Sequence, residues 1–270
     1  KNFKNLQNSF IKFINKTPPI GKSFICIDNY ELKKLVSKIK NKNFLTYGFS
    51  KESDFQILNP IYKKDHSIFN LRISAPGSKS RTVKKIKLNL IGQHNILNSA
   101  AAVALCLHIG ININVIKKSL KKFTGIQRRL TKVFSVKGRE FFDDYAHHPT
   151  EIKSILKSLK TTSAGRKIIS VFQPHRYSRL RLLKKDFISA FKDSNLVILC
   201  PVYPAGEKID KKHDQIDFAR LISLNSKVQV VMVKNESDLK KFFIKNLLQD
   251  EIVVCMGAGS ISKWIREMDL

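Results

Sequence analysis

The sequence predicts an α/β protein with two domains, and three observations carry that prediction. A chain of 270 residues with 43% hydrophobic content can bury more than one core. From Gln127 onward, short apolar runs alternate with segments of helical spacing. The polar, chemistry-bearing clusters follow the apolar runs instead of interrupting them, which is where ligands gather in a parallel sheet.

The elements are legible in order. Phe3, Leu6, Phe10, Ile11 and Ile14 recur at helical spacing. After Pro18-Pro19 come a strand at Phe24 to Ile27, a helix at Glu31 to Ile39 and a strand at Phe44 to Tyr47. Asp54 to Leu90 shows short alternating segments between polar turns, which predicts a small antiparallel β insertion. Two helices follow, Ile96 to Ile109 and Ile113 to Phe123, the first ended by Gly110. A division after Ile126 is expected, giving domains 1–126 and 127–270. The second reads as strands Lys167 to Phe172, Leu196 to Cys200, Val228 to Val233 and Ile252 to Met256. Helices at Leu183 to Phe191, Asp214 to Ser223, Ser237 to Leu248 and up to Met268 alternate with them. Strands apolar on both faces predict a mainly parallel sheet covered on both sides.

The formal charge of +29 raises the possibility of an anionic partner such as nucleic acid or a membrane surface. The excess is spread on both sides of Ile126, however, so it reads as biased surface composition with no specific nucleic-acid partner and no membrane. Cys26, Cys106, Cys200 and Cys255 each lie in an apolar run without a second ligand at metal spacing, which predicts buried thiols in a reducing, cytoplasmic setting and no metal site. No apolar run is long enough to span a bilayer.

Gly21-Lys22-Ser23 imitates a phosphate-binding loop, but position 16 is Lys16 where that loop requires glycine, and a strand follows instead of preceding. Gly92-Gln93-His94-Asn95-Ile96-Leu97-Asn98 opens a helix. Its side chains suit either a polar ligand at the helix N-terminus or ordinary capping by Asn95. Phe141-Phe142-Asp143-Asp144-Tyr145-Ala146-His147-His148-Pro149-Thr150-Glu151 reads as strand, polar loop and helix start, with Pro149 at the first helical position. Capping accounts for Pro149 and Glu151 but not for paired carboxylates beside paired imidazoles. The run from Gln173 to Arg181 places Arg176 and Arg179 after a buried strand, where guanidinium forks grip carboxylates or phosphates. Val202 to Glu207 ends the next strand. Gly257-Ala258-Gly259-Ser260 ends the last, and reads as a tight turn that allows close approach of another backbone or ligand.

Together these strings resemble the Mur ligase family, and within it the branch that adds alanine. GQHNILNSAAAVAL is similar to a helix of that family's central ATPase domain, FTGIQRRL to the hinge, and FDDYAHHPTE, FQPHRYSR, VYPAGE and GAGSIS to its C-terminal signatures. Ala146 stands where the family usually has glycine and would resist a positive φ. That residue leans toward the related murein-peptide recycling ligase, whereas FQPHRYSR favours the alanine-adding branch.

The resemblance implies a remnant of the central α/β ATPase domain followed by a Rossmann-like C-terminal domain. It implies ATP and Mg²⁺ as cofactors, and UDP-N-acetylmuramate and L-alanine as substrates joined through an acyl phosphate. It also implies roles: His94, Asn95 and Asn98 near adenine, Arg128 or Arg129 near the phosphates, and Asp144 at the ribose. His147 and His148 would line the reaction centre, with His148 the first candidate for a base, and Arg176 and Arg179 would hold the alanine carboxylate or developing phosphate charge. The family's UDP-sugar domain and phosphate-binding loop have no counterpart in these residues. The chain is therefore expected to be part of a longer enzyme, inactive without the missing N-terminal part.

Overall fold

A computed structural model describes residues 2–77, 79–210 and 214–270. The chain forms two compact units, Lys1–Thr124 and Gly125–Leu270.

In the first unit, α1 (Phe3–Asn15) is capped by the Asn2 side chain, which accepts from the Asn5 amide at 2.9 Å. It is followed by β1 (Ser23–Cys26), α2 (Tyr30–Val36), β2 (Phe44–Gly48), β3 (Phe55–Tyr62), β4 (Ser67–Ile73), β5 (Arg81–Leu88), α3 (Gln93–His108) and α4 (Ile113–Lys122). The strands make one sheet in the order β1-β2-β3-β4-β5. β1, β2 and β3 run parallel, and β3, β4 and β5 pair antiparallel. The small antiparallel part expected between Asp54 and Leu90 is present as β3, β4 and β5, and it is continuous with the parallel strands. β3 is hydrogen-bonded to β2 through Tyr47↔Phe55 and Gly48↔Gln56, so one sheet changes direction halfway across. Pro60 fits within β3 because the register shifts between Leu58 and Ile61, where no ladder donor is required. α3 lays Ile96, Ala100, Val103 and Ala104 against Phe69, Leu71 and Ile86, all fully buried. The small alanines let the helix backbone approach the sheet.

The second unit contains β6 (Thr131–Val136), β7 (Arg139–Asp144), α5 (Pro149–Thr162), β8 (Ile168–Phe172), α6 (Tyr177–Leu182), α7 (Lys184–Phe187), β9 (Leu196–Leu199), α8 (Gln215–Ser226), β10 (Gln229–Met232), α9 (Glu236–Asn246), β11 (Ile252–Met256) and α10 (Ile261–Glu267). Its sheet runs β10-β9-β8-β11-β7-β6, parallel except for the β6–β7 hairpin. The last strand in sequence therefore lies between β7 and β8. Phe141, Val253, Ile169 and Ile198 face one core with Leu239 and Phe243 of α9 and Ile261 and Ile265 of α10. On other strand positions Phe172 packs against Phe187 and Phe191 at ring separations of 5.6 and 5.3 Å. Cys200 and Cys255 are buried free thiols, and burial pushes Cys200 up to about 12. Cys26 and Cys106 are only partly buried, against the expectation of four buried thiols; Cys26 lies on the face of β1 opposite the buried Ile25 and Ile27. Among the described residues no helix is long and apolar enough to cross a membrane.

Candidate functional site

The carboxyl ends of β7, β8, β9 and β11 bring together the loops that the sequence singled out in the second unit. Strand pairing continues beyond β8 and β9 as a bridge between His175 and Tyr203. The Arg176 amide donates to the Tyr203 carbonyl at 2.9 Å, and the Tyr203 amide to the Pro174 carbonyl at 2.8 Å. His175 consequently stacks on Tyr203, with ring centroids 5.6 Å apart and planes 17° from parallel. Its ring also lies 5.8 Å from that of His147. The sequence reading assigned a role to neither His175 nor Tyr203, although Tyr203 follows a buried strand just as Arg176 does.

Hydrogen bonding gives the two imidazoles complementary character. Arg179 donates from Nη1 to His175 Nδ1 at 3.1 Å, so the His175 proton resides on Nε2, which is a donor. Burial, then the neighbouring Arg179, His147 and Arg176, hold His175 below the usual histidine range and keep it neutral. His147 Nδ1 lies 2.8 Å from the Tyr145 carbonyl, which can only accept; Nδ1 therefore carries a hydrogen, and in that tautomer Nε2 is the position for a lone pair. His148 takes another part. Its Nδ1 accepts from the Thr150 amide at 3.3 Å as the N-cap of α5, while Glu151 accepts from the His147 and His148 amides.

Arg176 precedes α6 at φ 71 and is exposed; among the described residues its guanidinium enters no ion pair. Arg179, one turn into α6, is committed to His175. Arg128 lies over the Tyr145 ring at 4.5 Å and donates to the Gly257 carbonyl at 2.7 Å, leaving its buried Nε without a partner. Arg129 is exposed.

The paired acids divide their work. Asp143 is fully buried and accepts from Ser262 Oγ at 2.6 Å and from Arg266 Nε at 3.0 Å, tying β7 to α10. Asp144 is 2% exposed, and its two carboxylate oxygens accept the Leu130 and Ala146 amides, each at 2.7 Å. Asp144 thereby fixes the ends of the hinge and of the signature loop. Ala146 is fully buried and is absent from the residues with positive φ, so alanine is accommodated there without strain.

Burial pushes the Asp144 carboxyl up to about 6 despite those two amides. A folded value above the unfolded one means that the native state holds the proton more tightly. This contribution to stability is present in full below pH 4 or so and is lost as the pH rises through about 6. The loss amounts to about 3 kcal/mol at most. Urea denaturation at several pH values should show the difference between wild type and Asp144→Asn changing across this window; a difference constant from pH 4 to pH 7 would refute it.

Gln173 locks the β11 turn. Its Oε1 accepts from the Ile261 amide at 3.0 Å and its Nε2 donates to Ser260 Oγ at 3.0 Å. A Cβ on Gly259 would stand 2.5 Å from Gln173 Oε1 and 2.5 Å from Tyr203 Cγ, and one on Gly257 would stand 2.8 Å from the Gln173 carbonyl oxygen. Both glycines are required by close approach of their neighbours, as the sequence turn implied.

In the first unit, Gly92 is the N-cap of α3 at φ 99 with no side-chain cap, so the capping attributed to Asn95 is incorrect. Asn95 is buried and donates to the Ile91 carbonyl at 2.8 Å, one turn back. His94 is half-buried and Asn98 exposed in the same first turns. Among the described residues no group of three His, Cys, Asp or Glu side chains could hold a metal ion, so these residues do not by themselves fit the Mg²⁺ that the resemblance implies.

Comparison with known proteins agrees with this organisation. The Mur ligase middle domain matches residues 1–106, and the Mur ligase glutamate ligase domain matches residues 128–259. The UDP-N-acetylmuramate–L-alanine ligase of Pelagibacter ubique is 49% identical over 98% of this chain, which spans 57% of that protein. That of Brachyspira hyodysenteriae is 39% identical over 96% of the chain and 55% of its own length. The chain thus spans little more than half the length of the curated relatives it matches. Among solved structures, the UDP-N-acetylmuramate-alanine ligase of Thermotoga maritima shares the fold with a TM-score of 0.65 at 21% identity, covering 90% of this chain and 58% of that one. A murein peptide ligase from Psychrobacter arcticus gives 0.66 at 18% identity, covering 99% and 56%. With both domain matches in order and together spanning most of its length, the chain belongs to the Mur ligase family.

Proposed function

We propose that this chain supplies the amino-acid site, and part of the nucleotide site, of an ATP-dependent ligase joining L-alanine to UDP-N-acetylmuramate. The observation that carries the reading is the convergence of Tyr145, His147, His175, Arg176, Arg179 and Tyr203 at adjoining strand ends. The exposed guanidinium fork of Arg176 beside these rings suits a carboxylate. ATP supplies the phosphoryl group that activates the sugar's carboxylate as an acyl phosphate.

Within this site Arg176 grips the alanine carboxylate, and Arg179 acts through His175 by holding its ring and tautomer. His147 Nε2 accepts a proton from the amine as the amine attacks the acyl carbon, which makes His147 the better base than His148, whose Nδ1 is occupied in capping. Arg128, with an unpartnered Nε, and exposed Arg129 fit the nucleotide phosphates. Asp144 serves by shaping the loop, being too buried to offer a ribose an open oxygen. His94, Asn95 and Asn98 remain the adenine candidates; of these, Asn95 is a positioning residue, since its amide holds the Ile91 carbonyl. The curated relatives named above are alanine ligases, which favours this reading over the recycling ligase.

The test uses a chimera that joins this chain to the N-terminal part of the Pelagibacter relative. Arg176→Lys keeps the charge but loses the two-point fork, and should weaken apparent alanine affinity by about tenfold to a hundredfold with ATP little changed. If ATP affinity falls while alanine dependence stays intact, Arg176 belongs to the nucleotide instead.

A further inference from the structure

Arg176 stands on strained backbone. Its φ of 71 and ψ of 129 are a combination that a residue with a Cβ adopts only where its neighbours over-determine it. Two ties do so. On one side the Arg176 amide donates to the Tyr203 carbonyl at 2.9 Å. On the other, the Arg176 carbonyl accepts from the Leu180 amide at 3.2 Å, so the residue is fixed by where α6 begins. Arg176 supplies no capping side chain to that helix. The cap comes from Glu207, one oxygen of which accepts from the Ser178 amide at 3.1 Å and the other from the Ser178 hydroxyl. A tight turn brings Glu207 there: Ala205 and Gly206 take φ of 51 and 85, and the Glu207 amide donates to the Pro204 carbonyl at 3.0 Å. Tyr203 and Glu207 therefore grip the chain on either side of Arg176 from one short segment. The two Ser178 hydrogen bonds hold the Glu207 carboxyl below the usual carboxylate range, so both oxygens accept at neutral pH.

We propose that Glu207 is a positioning residue of the amino-acid site: by clamping Ser178 it holds Arg176 in its strained conformation and aims the guanidinium at the substrate carboxylate. Glu207 itself touches no substrate, because both its oxygens are engaged by Ser178. What Arg176 grips rests on the function proposed above; the clamp does not.

The test uses the same chimeric ligase. Glu207→Ala removes both acceptors and should weaken apparent alanine affinity about tenfold with ATP little changed. Glu207→Gln can still meet both Ser178 groups, its Oε1 accepting from the amide and its Nε2 donating to the hydroxyl oxygen, so it should stay within about threefold of wild type. Glutamine as damaging as alanine would mean that the charge acts on the substrate directly, which overturns the proposal. Adding Glu207→Ala to Arg176→Ala should cost little more than Arg176→Ala alone; losses that multiply sink the idea, since a clamp has nothing to aim once the fork is gone. Hydrogen exchange of this chain alone gives a readout that needs no catalysis. Glu207→Ala should speed exchange at the Arg176 amide and Glu207→Gln should not, whereas unchanged protection in the alanine variant counts against the clamp. The two readings separate cleanly. If Glu207→Ala and Arg176→Lys both weaken ATP in place of alanine, the clamp stands and the assignment of Arg176 to alanine fails; if Arg176→Lys weakens alanine and Glu207→Ala does not, the reverse holds.

Discussion

Replacing Arg266 with leucine is expected to destabilise the second unit by about 3 kcal/mol, because it strips a buried carboxylate of its counter-charge. Asp143 is fully buried, and Arg266 reaches it through Nε at 3.0 Å and Nη2 at 2.9 Å. Only the Ser262 hydroxyl, at 2.6 Å, would remain. Asp143 Oδ1 already lacks a partner, so no spare hydrogen bond is available to compensate. The protein's single tryptophan, Trp264, lies on α10 two residues from Arg266 and reports directly on this packing. Chemical denaturation followed by its fluorescence should show the loss, and Arg266→Leu with Asp143→Leu should recover part of it, since removing both charges avoids stranding one. A loss below 1 kcal/mol or so in the single variant would mean that the ion pair contributes nothing.

Gly259→Val is expected to be nearly as damaging, and its damage should reach the proposed alanine site. The nearest atoms to an added Cβ are Gln173 Oε1 and the Cγ and Cβ of Tyr203, at 2.5, 2.5 and 2.7 Å. Gln173 is held by two hydrogen bonds across the turn, and the Tyr203 atoms belong to the root of its ring, so neither can swing away cheaply. Overpacking of this kind costs about 1 to 3 kcal/mol. Tyr203 yields first, being partly exposed, and its displacement removes the surface on which His175 stacks. In the chimeric ligase, alanine affinity should therefore fall together with the melting temperature. Unchanged alanine affinity in a destabilised Gly259→Val protein would show that the stack plays no part in binding.

Much of this arrangement is written locally in the chain. β11 spans the apolar run Ile252–Met256, because a strand buried on both faces needs continuous apolar sequence. The start of α5 was equally clear, since Pro149 and Glu151 are local signals of helix entry. β6 escaped because its residues are only half-buried and its hairpin turns on Lys137-Gly138, at φ 49 and 76, without the asparagine or aspartate that usually marks such a turn. The predicted helix at Leu183 to Phe191 forms only as α7, with a break at Leu183 separating it from α6. The site itself was half legible. Residues at strand ends could be picked out by type, yet the partnership of His175 with Tyr203 depends on β8 lying beside β9, and the burial of Asp144 on where the hinge folds back. Sequence spacing records neither.

The position of β11 between β7 and β8 has a consequence for how this protein is made. Residues from both neighbouring strands reach the site early in synthesis, but the strand that spaces them correctly emerges after every other strand of the unit. Until Ile252–Met256 leaves the ribosome, β7 and β8 have no common neighbour, and the carbonyl of Gly257 that receives Arg128 does not yet exist. The second unit therefore closes only once β11 is available, through contacts distant in sequence, at a rate set by loop closure and not by local helix formation. Removal of β11 and α10 alone would leave most of the unit's sequence and lose the whole geometry of the site.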